Sequence, residues 1–203
     1  MNARDDILSA IRGGRVKNSP RPLVYRGPDV PDLLTTFVER ARSANAEVRV
    51  LSCDADVPVA VAQLLRARNQ PAVVHIPRDD NSELPWHLAS GLSLTRSPPG
   101  SEDAALAIAP FGIAETGTLA YAAATDAPAS WHFRAGFEIG VIRAENIVPH
   151  METVIARLKR DGELPATVNF VTGPSRTGDI EQTLELGAHG PKGLAILVVK
   201  ALS

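Results

Sequence analysis

Residues 137–172 read FEIGVIRAENIVPHMETVIARLKRDGELPATVNFVT, and this stretch decides the fold class. The apolar run over Phe137–Arg143 predicts a strand. Residues 149–160 predict a helix, with Glu152 in its first turn, basic residues in its last turn and one apolar stripe formed by Met151, Val154, Ile155 and Leu158. A second strand is predicted over residues 167–172. Strand, helix and strand at this spacing indicate an α/β fold.

The same alternation extends through the rest of the chain. Helices are predicted over residues 3–11, 31–43 and 56–68, and strands over residues 48–51, 71–76, 104–114, 118–124 and 194–200. We therefore expect an α/β fold with a mostly parallel sheet flanked by helices. In such sheets ligands bind at the carboxyl ends of the strands. The loops after Ala114 and Thr172 are expected at such ends, which makes them the candidate site.

Composition narrows the class of protein and of partner. At 203 residues, with 44% hydrophobic and 22% charged residues, the chain resembles one globular domain with a substantial core. A net charge of −2 gives no overall attraction to nucleic acid, and an aromatic content of 4% provides few base-stacking platforms. No apolar run approaches the ~20 residues of a membrane-spanning helix, and residues 1–6 lack the pattern of a signal peptide. We expect no nucleic-acid partner, no membrane span and a cytoplasmic location.

Cysteine and histidine usage gives no indication of a resident metal. Cys53 is the single cysteine, so the chain has neither an internal disulfide nor the roughly four thiolates of a self-contained iron–sulfur cluster. The five histidines show neither H-x3-H nor H-E-x-x-H spacing. The expectation is no metal site and no cofactor in this chain.

The first 28 residues are predicted to form an N-terminal helix and a basic arm, which precede an α/β domain of residues 29–203. Ile7, Leu8 and Ile11 share one face of the helix, and residues 12–27 contain five basic and no acidic side chains. Such an arm either binds nucleic acid or an acidic partner, or is a solvated linker along its own domain or a neighbouring subunit. We favour the linker, because five charges with one tyrosine do not make a recognition surface.

The loop at residues 173–181, GPSRTGDIE, is the first candidate for binding. Backbone N–H groups converge where a glycine leaves a strand, and the N-terminus of a following helix attracts anions. Arg176 offers a fork for a carboxylate or phosphate, with Ser175 and Thr177 as further donors. The candidate ligand-binding residues here are Gly173, Ser175, Arg176, Thr177 and Asp179, and the expected ligand is a small carboxylate or phosphate.

The residues that follow leave alternatives open. Asp179 and Ile180 stand where a Walker A motif needs Lys and Ser/Thr, which excludes an ATP-binding loop of that type. Asp179 and Glu181 are either ligand contacts or first-turn residues of a helix that ends near Gly187. His189 is either a catalytic acid–base group or a structural tie between loops. Its proximity to the Arg176 loop in the sequence favours the catalytic role.

Glu115-Thr116-Gly117-Thr118 is the second candidate, between two predicted strands. In the functional interpretation, a tight turn presents Glu115 as an acid, base or nucleophile, surrounded by hydroxyl and backbone N–H groups. In the structural interpretation, Gly117 has a positive φ in a β-turn and Glu115 is only solvated. Both stay open. Glu115 thus joins His189 as a candidate catalytic residue, and Thr116, Gly117 and Thr118 join the candidate ligand-binding residues.

These two constellations, in this order and with His189-Gly190-Pro191, resemble the LUD (lactate-utilisation) domain family. The resemblance covers nearly the whole chain and is most specific in residues 112–124 and 167–200. It implies a fold similar to the glucosamine-phosphate isomerase, ribose-phosphate isomerase and CoA-transferase group. It also implies a part in the oxidation of L-lactate to pyruvate, alongside two partner proteins of which at least one carries iron–sulfur clusters.

Three hypotheses about function follow. Without cluster cysteines or a nucleotide fingerprint, the chain is not expected to oxidise lactate by itself. The first hypothesis is an accessory, non-redox subunit whose Arg176 loop binds a small carboxylate or an organic cofactor. The second is a self-sufficient isomerase, transferase or cyclo-ligase-like enzyme that uses Glu115. The third is a purely structural scaffold, in which the residues of the pocket are replaceable.

Overall fold

The computed structural model of the chain describes residues 3–14, 25, 27–77, 84–123, 128, 131–160, 162, 165–178, 184–186 and 190–200, with the backbone alone at 176–178 and 184–186. Within them the helices are α1 (Ala3–Gly13), α2 (Leu33–Ser43), α3 (Asp56–Ala67), α4 (Trp131–Arg134) and α5 (Met151–Arg160). The strands are β1 (Glu47–Leu51), β2 (Val73–His75), β3 (Ser93–Thr95), β4 (Ala104–Ile108), β5 (Phe111–Ile113), β6 (Thr118–Ala122), β7 (Phe137–Arg143), β8 (Ile147–Val148), β9 (Val168–Val171), β10 (Arg176–Gly178), β11 (Leu184–Leu186) and β12 (Gly193–Val199). Short 3-10 turns occur at Trp86–Leu88 and Ala144–Asn146.

The largest sheet has six strands in the order β1-β12-β7-β4-β2-β3, and every pairing in it is parallel. Strands β4 and β12 are unbroken apolar runs because both faces of the sheet are covered, and β7 is interrupted only by the buried Glu138 before its last residue, Arg143. In β12, Leu194, Ile196 and Val198 face one core cluster, and Ala195, Leu197 and Val199 face the other. The predicted α/β fold with a mostly parallel sheet flanked by helices is therefore confirmed.

A second sheet packs against the first and creates additional layers. It contains four strands in the order β8-β5-β6-β9, of which β5 and β8 are parallel and the other pairs antiparallel. Helix α3 covers one face of the six-stranded sheet. Helix α2 and the inner face of the four-stranded sheet cover the other face. Helix α5 packs on the outer face of the four-stranded sheet, where Val154 contacts the cluster of Ile113, Ala120 and Val148.

The prediction of one continuous strand over residues 104–114 is wrong. It is two strands, β4 and β5, which belong to different sheets. The Ala109 N–H still donates to the Val141 carbonyl of the six-stranded sheet at 2.7 Å. Pro110 follows, and proline has no N–H with which to continue a ladder. The chain therefore crosses from one sheet to the other at this residue.

The prediction of a helix that ends near Gly187 is also wrong. Residues 184–186 are strand β11, which pairs antiparallel with β10. The loop after Thr172 therefore leads into a hairpin, and the helix N-terminus that was expected to attract an anion there is not formed by the described residues. Strands β5 and β9, which precede the two candidate loops, lie in the smaller sheet. The candidate loops are consequently not at the carboxyl edge of the six-stranded parallel sheet.

The helix bounds are close to those predicted, and capping explains one difference. Helix α2 begins at Leu33 and not at Pro31, because the Asp32 side chain caps it by accepting from the Thr35 N–H at 2.9 Å. Helix α1 has no buried residue. Helix α4 and strand β3, four and three residues long, were not predicted. No helix within the described ranges is long and apolar enough to cross a membrane.

Two glycine turns contact the backbone of α2 or of the residue after it, and they bring the two candidate loops to the same helix. Gly117 has φ +68°, and a Cβ atom built on it would lie 2.6 Å from the Ala41 Cα. Gly173 has φ +73°, and its Cβ would overlap the Ala44 carbonyl oxygen just beyond the end of the helix. Both positions combine a left-handed conformation with direct backbone contact, so each excludes every residue except glycine.

We expect Gly117→Ala to lower the free energy of unfolding by roughly 3 kcal/mol or more, because it adds backbone strain to an overlap with the α2 backbone. Gly91→Ala is the matched control, since Gly91 also has a positive φ (+89°) but no atom of the described residues lies within 4 Å of where its Cβ would be. The strain alone should cost about 1–2 kcal/mol there. Urea denaturation measures both variants. Equal losses of unfolding free energy in the two variants would show that contact with α2 does not constrain the Gly117 turn.

Candidate functional site

A chain of threonine hydroxyls joins the two candidate loops. Thr116 Oγ1 lies 2.7 Å from Thr118 Oγ1, which in turn lies 2.5 Å from Thr172 Oγ1. Thr118 is only 2% exposed, whereas Thr172 is exposed. Because each hydroxyl can both donate and accept, Thr118 can hydrogen-bond to Thr116 and to Thr172 at the same time. The two segments predicted to form one site are therefore in contact.

The Gly173 loop also meets the segment that follows His189. The Ser175 N–H donates to the Pro191 carbonyl at 2.9 Å. A Cβ built on Gly190 would lie 3.2 Å from Ser175 Cβ, which leaves little room for a side chain at this position. The Gly173 loop is thus packed against the Gly190-Pro191 segment.

The remaining predicted residues of this loop stay predictions. Arg176 and Thr177 lie in strand β10, where the structure describes their backbone. Asp179, Glu181 and His189 lie outside the described residues. Their roles as ligand contacts or as an acid–base group rest on the sequence.

Glu115 has two hydrogen-bonding partners and is not simply solvated. The Tyr25 hydroxyl donates to Glu115 Oε1 at 2.8 Å, and His150 Nδ1 lies 3.0 Å from Glu115 Oε2. The side chains of His150 and Glu115 are 15% and 28% exposed. The turn does have the positive φ at Gly117 that the structural interpretation expected. The turn therefore has the geometry of the structural interpretation, and Glu115 also has the specific hydrogen-bonding partners of the functional one.

These contacts define the charge of Glu115 and the position of a proton on His150. The hydrogen bonds from His150 and Tyr25 lower the pKa of Glu115 below its ordinary value. The bond to Glu115 raises the pKa of Tyr25, since the phenol donates to an ionised carboxylate. An ionised carboxylate only accepts hydrogen bonds, so the proton of the His150 contact must reside on Nδ1. The other ring nitrogen, Nε2, then carries the lone pair of the neutral imidazole.

An open groove of about 850 Å³ lies beside this pair. One side is formed by the segment before and at the start of α2, and the other by the residues at the start of α5; the lining consists of Tyr25, Gly27, Asp29, Val30, Pro31, Leu33, Pro149, His150, Glu152 and Thr153. Gly27 lies directly on the His150 ring, because a Cβ at this position would overlap the ring atoms. The imidazole is therefore held between Gly27 and the Glu115 carboxylate.

The described ionisable residues of the groove are predominantly acidic. Asp29 and Glu152 line it, and Glu115 lies beneath His150. Arg40 is a cation whose field reaches Glu115 and lowers its pKa further. The carboxylates of Asp29, Glu152 and Glu115 disfavour a free anion in the part of the groove that the structure describes.

The structure therefore places the predicted residues in two neighbouring parts of one region. The hydroxyls of Thr116 and Thr118 lead to the Gly173 loop, whereas Glu115 contacts Tyr25 and His150 at the groove. Within the described part of the chain, no hydrogen bond joins Glu115 to residues 172–175. The sequence left open whether Glu115 and the Gly173 loop face one pocket, and the described contacts give each its own surroundings.

Sequence analysis missed Tyr25, His150 and Thr172. Tyr25 and Glu115 are 90 residues apart, and His150 and Glu115 are 35 apart. No local spacing relates such residues, so no motif could have identified them. Thr172 was noted only as the end of a strand. Thr172 is two residues after Phe170, so the period of a strand places both on one side of the chain, and Phe170 packs there in the cluster beneath α5; this was the available signal.

A second polar cluster is buried between the two sheets. His132 Nδ1 lies 2.9 Å from Glu138 Oε1, and both residues are almost fully buried. The Tyr121 ring stacks on the imidazole with 3.9 Å between ring centroids. Burial and the nearby Glu138 carboxylate raise the pKa of Tyr121 well above its ordinary value. Among the described residues, no group of three or more His, Cys, Asp or Glu side chains is arranged to hold a metal ion.

Comparison with known proteins gives consistent similarities. Residues 99–199 match the profile of the family described as "LUD domain". Lactate utilization protein C of Anoxybacillus flavithermus is 26% identical over 210 residues, which cover 96% of this chain and 92% of that protein. Lactate utilization protein C of Geobacillus kaustophilus is 32% identical over 98 residues, which cover 46% of this chain and 41% of that protein. The crystal structure of a DUF162 family protein from Deinococcus radiodurans has the same fold, with a TM-score of 0.61 and 23% identity, over 82% of this chain and 96% of that one.

We expect the stabilising effect of Glu115 to depend on pH. A carboxylate with a lowered pKa in the folded state stabilises the protein above its unfolded-state pKa, and this contribution is lost as the pH falls through the folded-state pKa. Wild type should therefore exceed Glu115→Gln in free energy of unfolding at neutral pH, and the difference should shrink towards about pH 3. Tyr25→Phe, which removes one of the two donors, should show a smaller dependence of the same sign. A difference between wild type and Glu115→Gln that is constant with pH would contradict the contacts described for Glu115.

Proposed function

The chain belongs to the LUD domain family, and on this premise we propose that it acts in lactate utilisation, as an accessory subunit in the oxidation of L-lactate to pyruvate. One observation carries the proposal. The similarity to a protein named lactate utilization protein C extends over 96% of this chain and 92% of that relative, so it includes both the N-terminal region and the domain.

The chemistry of the reaction supports a role beside redox partners. Oxidation of an α-hydroxy acid releases two electrons, which need an acceptor. Cys53 is the single thiol of the chain, and an iron–sulfur cluster uses about four. We therefore place the clusters on partner subunits and give this chain a non-redox task, with no cofactor of its own.

The task that suits the region around Thr172 is binding of a small carboxylate or phosphate. Gly173 and Ser175 follow the exposed residue Thr172 in the chain, and β10 begins with Arg176. Hydroxyl groups and a guanidinium are the donors that carboxylates and phosphates accept best. The negative groove at Glu115 is less suitable for an anion, so the ligand is assigned to the loop.

Deletion of the gene should abolish growth on L-lactate in a strain without another lactate-oxidising enzyme, while growth on pyruvate continues. Wild type should restore growth, and Arg176→Ala should not, because the fork that binds the anion is lost. Arg66→Ala is the matched control, since Arg66 is exposed on α3 and outside the candidate site. It should restore growth fully.

Two other outcomes have distinct meanings. Normal growth of the deletion strain on L-lactate would remove the assignment to lactate utilisation. Rescue by Arg176→Ala to the level of wild type would retain the assignment and reject the loop as a working site, as expected of a scaffold.

A second candidate function is that of a self-sufficient isomerase, transferase or cyclo-ligase-like enzyme that uses Glu115. The observation in its favour is the Glu115–His150 contact beside an open groove, an arrangement suited to proton transfer. This function predicts activity of the purified chain alone, reduced at least ~100-fold by Glu115→Gln. Activity that requires the partner subunits would favour the accessory role.

A further inference from the structure

We propose that His150 is the proton-transferring residue at the groove and that Glu115 is its positioning residue. This inference deepens the second candidate function, whose catalytic residue was Glu115 itself. It concerns the tautomer of His150 and the class of molecule that the groove accepts. It therefore does not depend on whether the chain serves lactate utilisation.

The hydrogen bonds of Glu115 assign it the positioning role. A carboxylate that attacks a substrate needs a free oxygen lone pair directed at the reacting atom. Glu115 Oε1 accepts from Tyr25 at 2.8 Å, and Oε2 accepts from His150 at 3.0 Å. Each oxygen thus accepts one hydrogen bond, and the two bonds stabilise the ionised form, which makes the remaining lone pairs less basic. Such a carboxylate is a poor nucleophile and a good partner for orienting an imidazole.

The surroundings of His150 assign it the proton transfer. Because Nδ1 donates to Glu115, Nε2 has the free lone pair that accepts a proton. No hydrogen bond from the described residues occupies Nε2. The ring lines the groove, retains 15% of its side-chain area exposed, and is held in orientation by Gly27. The imidazolium that forms on protonation is stabilised by the Glu115 carboxylate.

The charge of the groove determines the class of substrate. Asp29 and Glu152 line the groove, and together with Glu115 they would repel a free carboxylate. The groove therefore accepts an uncharged molecule with a hydroxyl group. In the step itself, the hydroxyl O–H bond breaks, the proton forms a bond with His150 Nε2, and the electron pair that stays on oxygen is stabilised by a hydrogen bond from the new imidazolium N–H.

The tautomer of His150 provides a direct test in the full-length chain. Histidine labelled with ¹⁵N distinguishes a protonated from an unprotonated ring nitrogen in long-range ¹H–¹⁵N spectra, and His150→Gln assigns the signal. Neutral His150 should carry its proton on Nδ1, whereas free histidine in water prefers Nε2. Glu115→Ala should shift the population to the Nε2–H form, while Tyr25→Phe should leave it on Nδ1. A wild-type signal with the proton on Nε2 would overturn the proposal, even if Glu115→Ala does not fold.

A matched pair of small molecules tests the substrate class. L-Lactamide and L-lactate share the hydroxyl-bearing carbon, but only L-lactate has a free carboxylate. L-Lactamide should move the His150 signals in a saturable manner, with at least a tenfold lower Kd than L-lactate. Equal or tighter binding of L-lactate at His150 would overturn the assignment to uncharged molecules, and so would the absence of any shift with L-lactamide.

The measurements at His150 can be interpreted separately from the outcome of the growth experiment. Loss of growth on L-lactate after gene deletion concerns the role of the protein in the cell. The His150 tautomer and its response to Glu115→Ala concern the site alone. If growth is normal and the tautomer is as expected, the lactate assignment fails while the proton-transfer pair stands.

Discussion

Contact between two glycine turns and the backbone of helix α2 is the constraint on which the arrangement of the site depends. Gly117 and Gly173 belong to loops that are far apart in the chain, and each has a positive φ where it meets α2 or the residue after it. With no Cβ at either position, both loops approach the same helix closely enough for the Thr118 and Thr172 hydroxyls to bond. A methyl group at either glycine would separate the two loops that carry the most specific sequence of the family.

The four-stranded sheet gives these loops a platform that is separate from the parallel sheet. Parallel α/β sheets usually present ligands at the carboxyl ends of their strands. Here the chain leaves the parallel sheet at Pro110, and β5, β6 and β9 carry the candidate loops on the smaller sheet. The buried His132–Glu138 pair and Tyr121 lie where the two sheets meet, so the interface between them contains a polar network as well as the apolar core.

Electrostatics divides the region into two parts with different chemistry. The part around Thr172 and Gly173 offers hydroxyl and backbone groups, and Arg176 follows in the sequence as the first residue of β10. The groove at Glu115 combines three carboxylates with one imidazole. Repulsion from those carboxylates opposes the binding of one small anion across both parts. The proposed functions follow this division: anion binding belongs to the loop, and proton transfer belongs to the groove.

The sequence by itself determined the α/β class, most of the helices and strands, and the resemblance to the LUD domain family. Apolar periodicity and turn residues act within a few positions, so helices such as α5 and strands such as β7 and β12 were predictable. Pro110 was visible in the sequence, but its effect depends on a second sheet that competes for the next strand. The partners of Glu115 were decided only by the tertiary structure. Tyr25 and His150 reach it from 90 and 35 residues away, and hydrogen bonds over such separations form only once the packing of the sheets and helices brings their segments together.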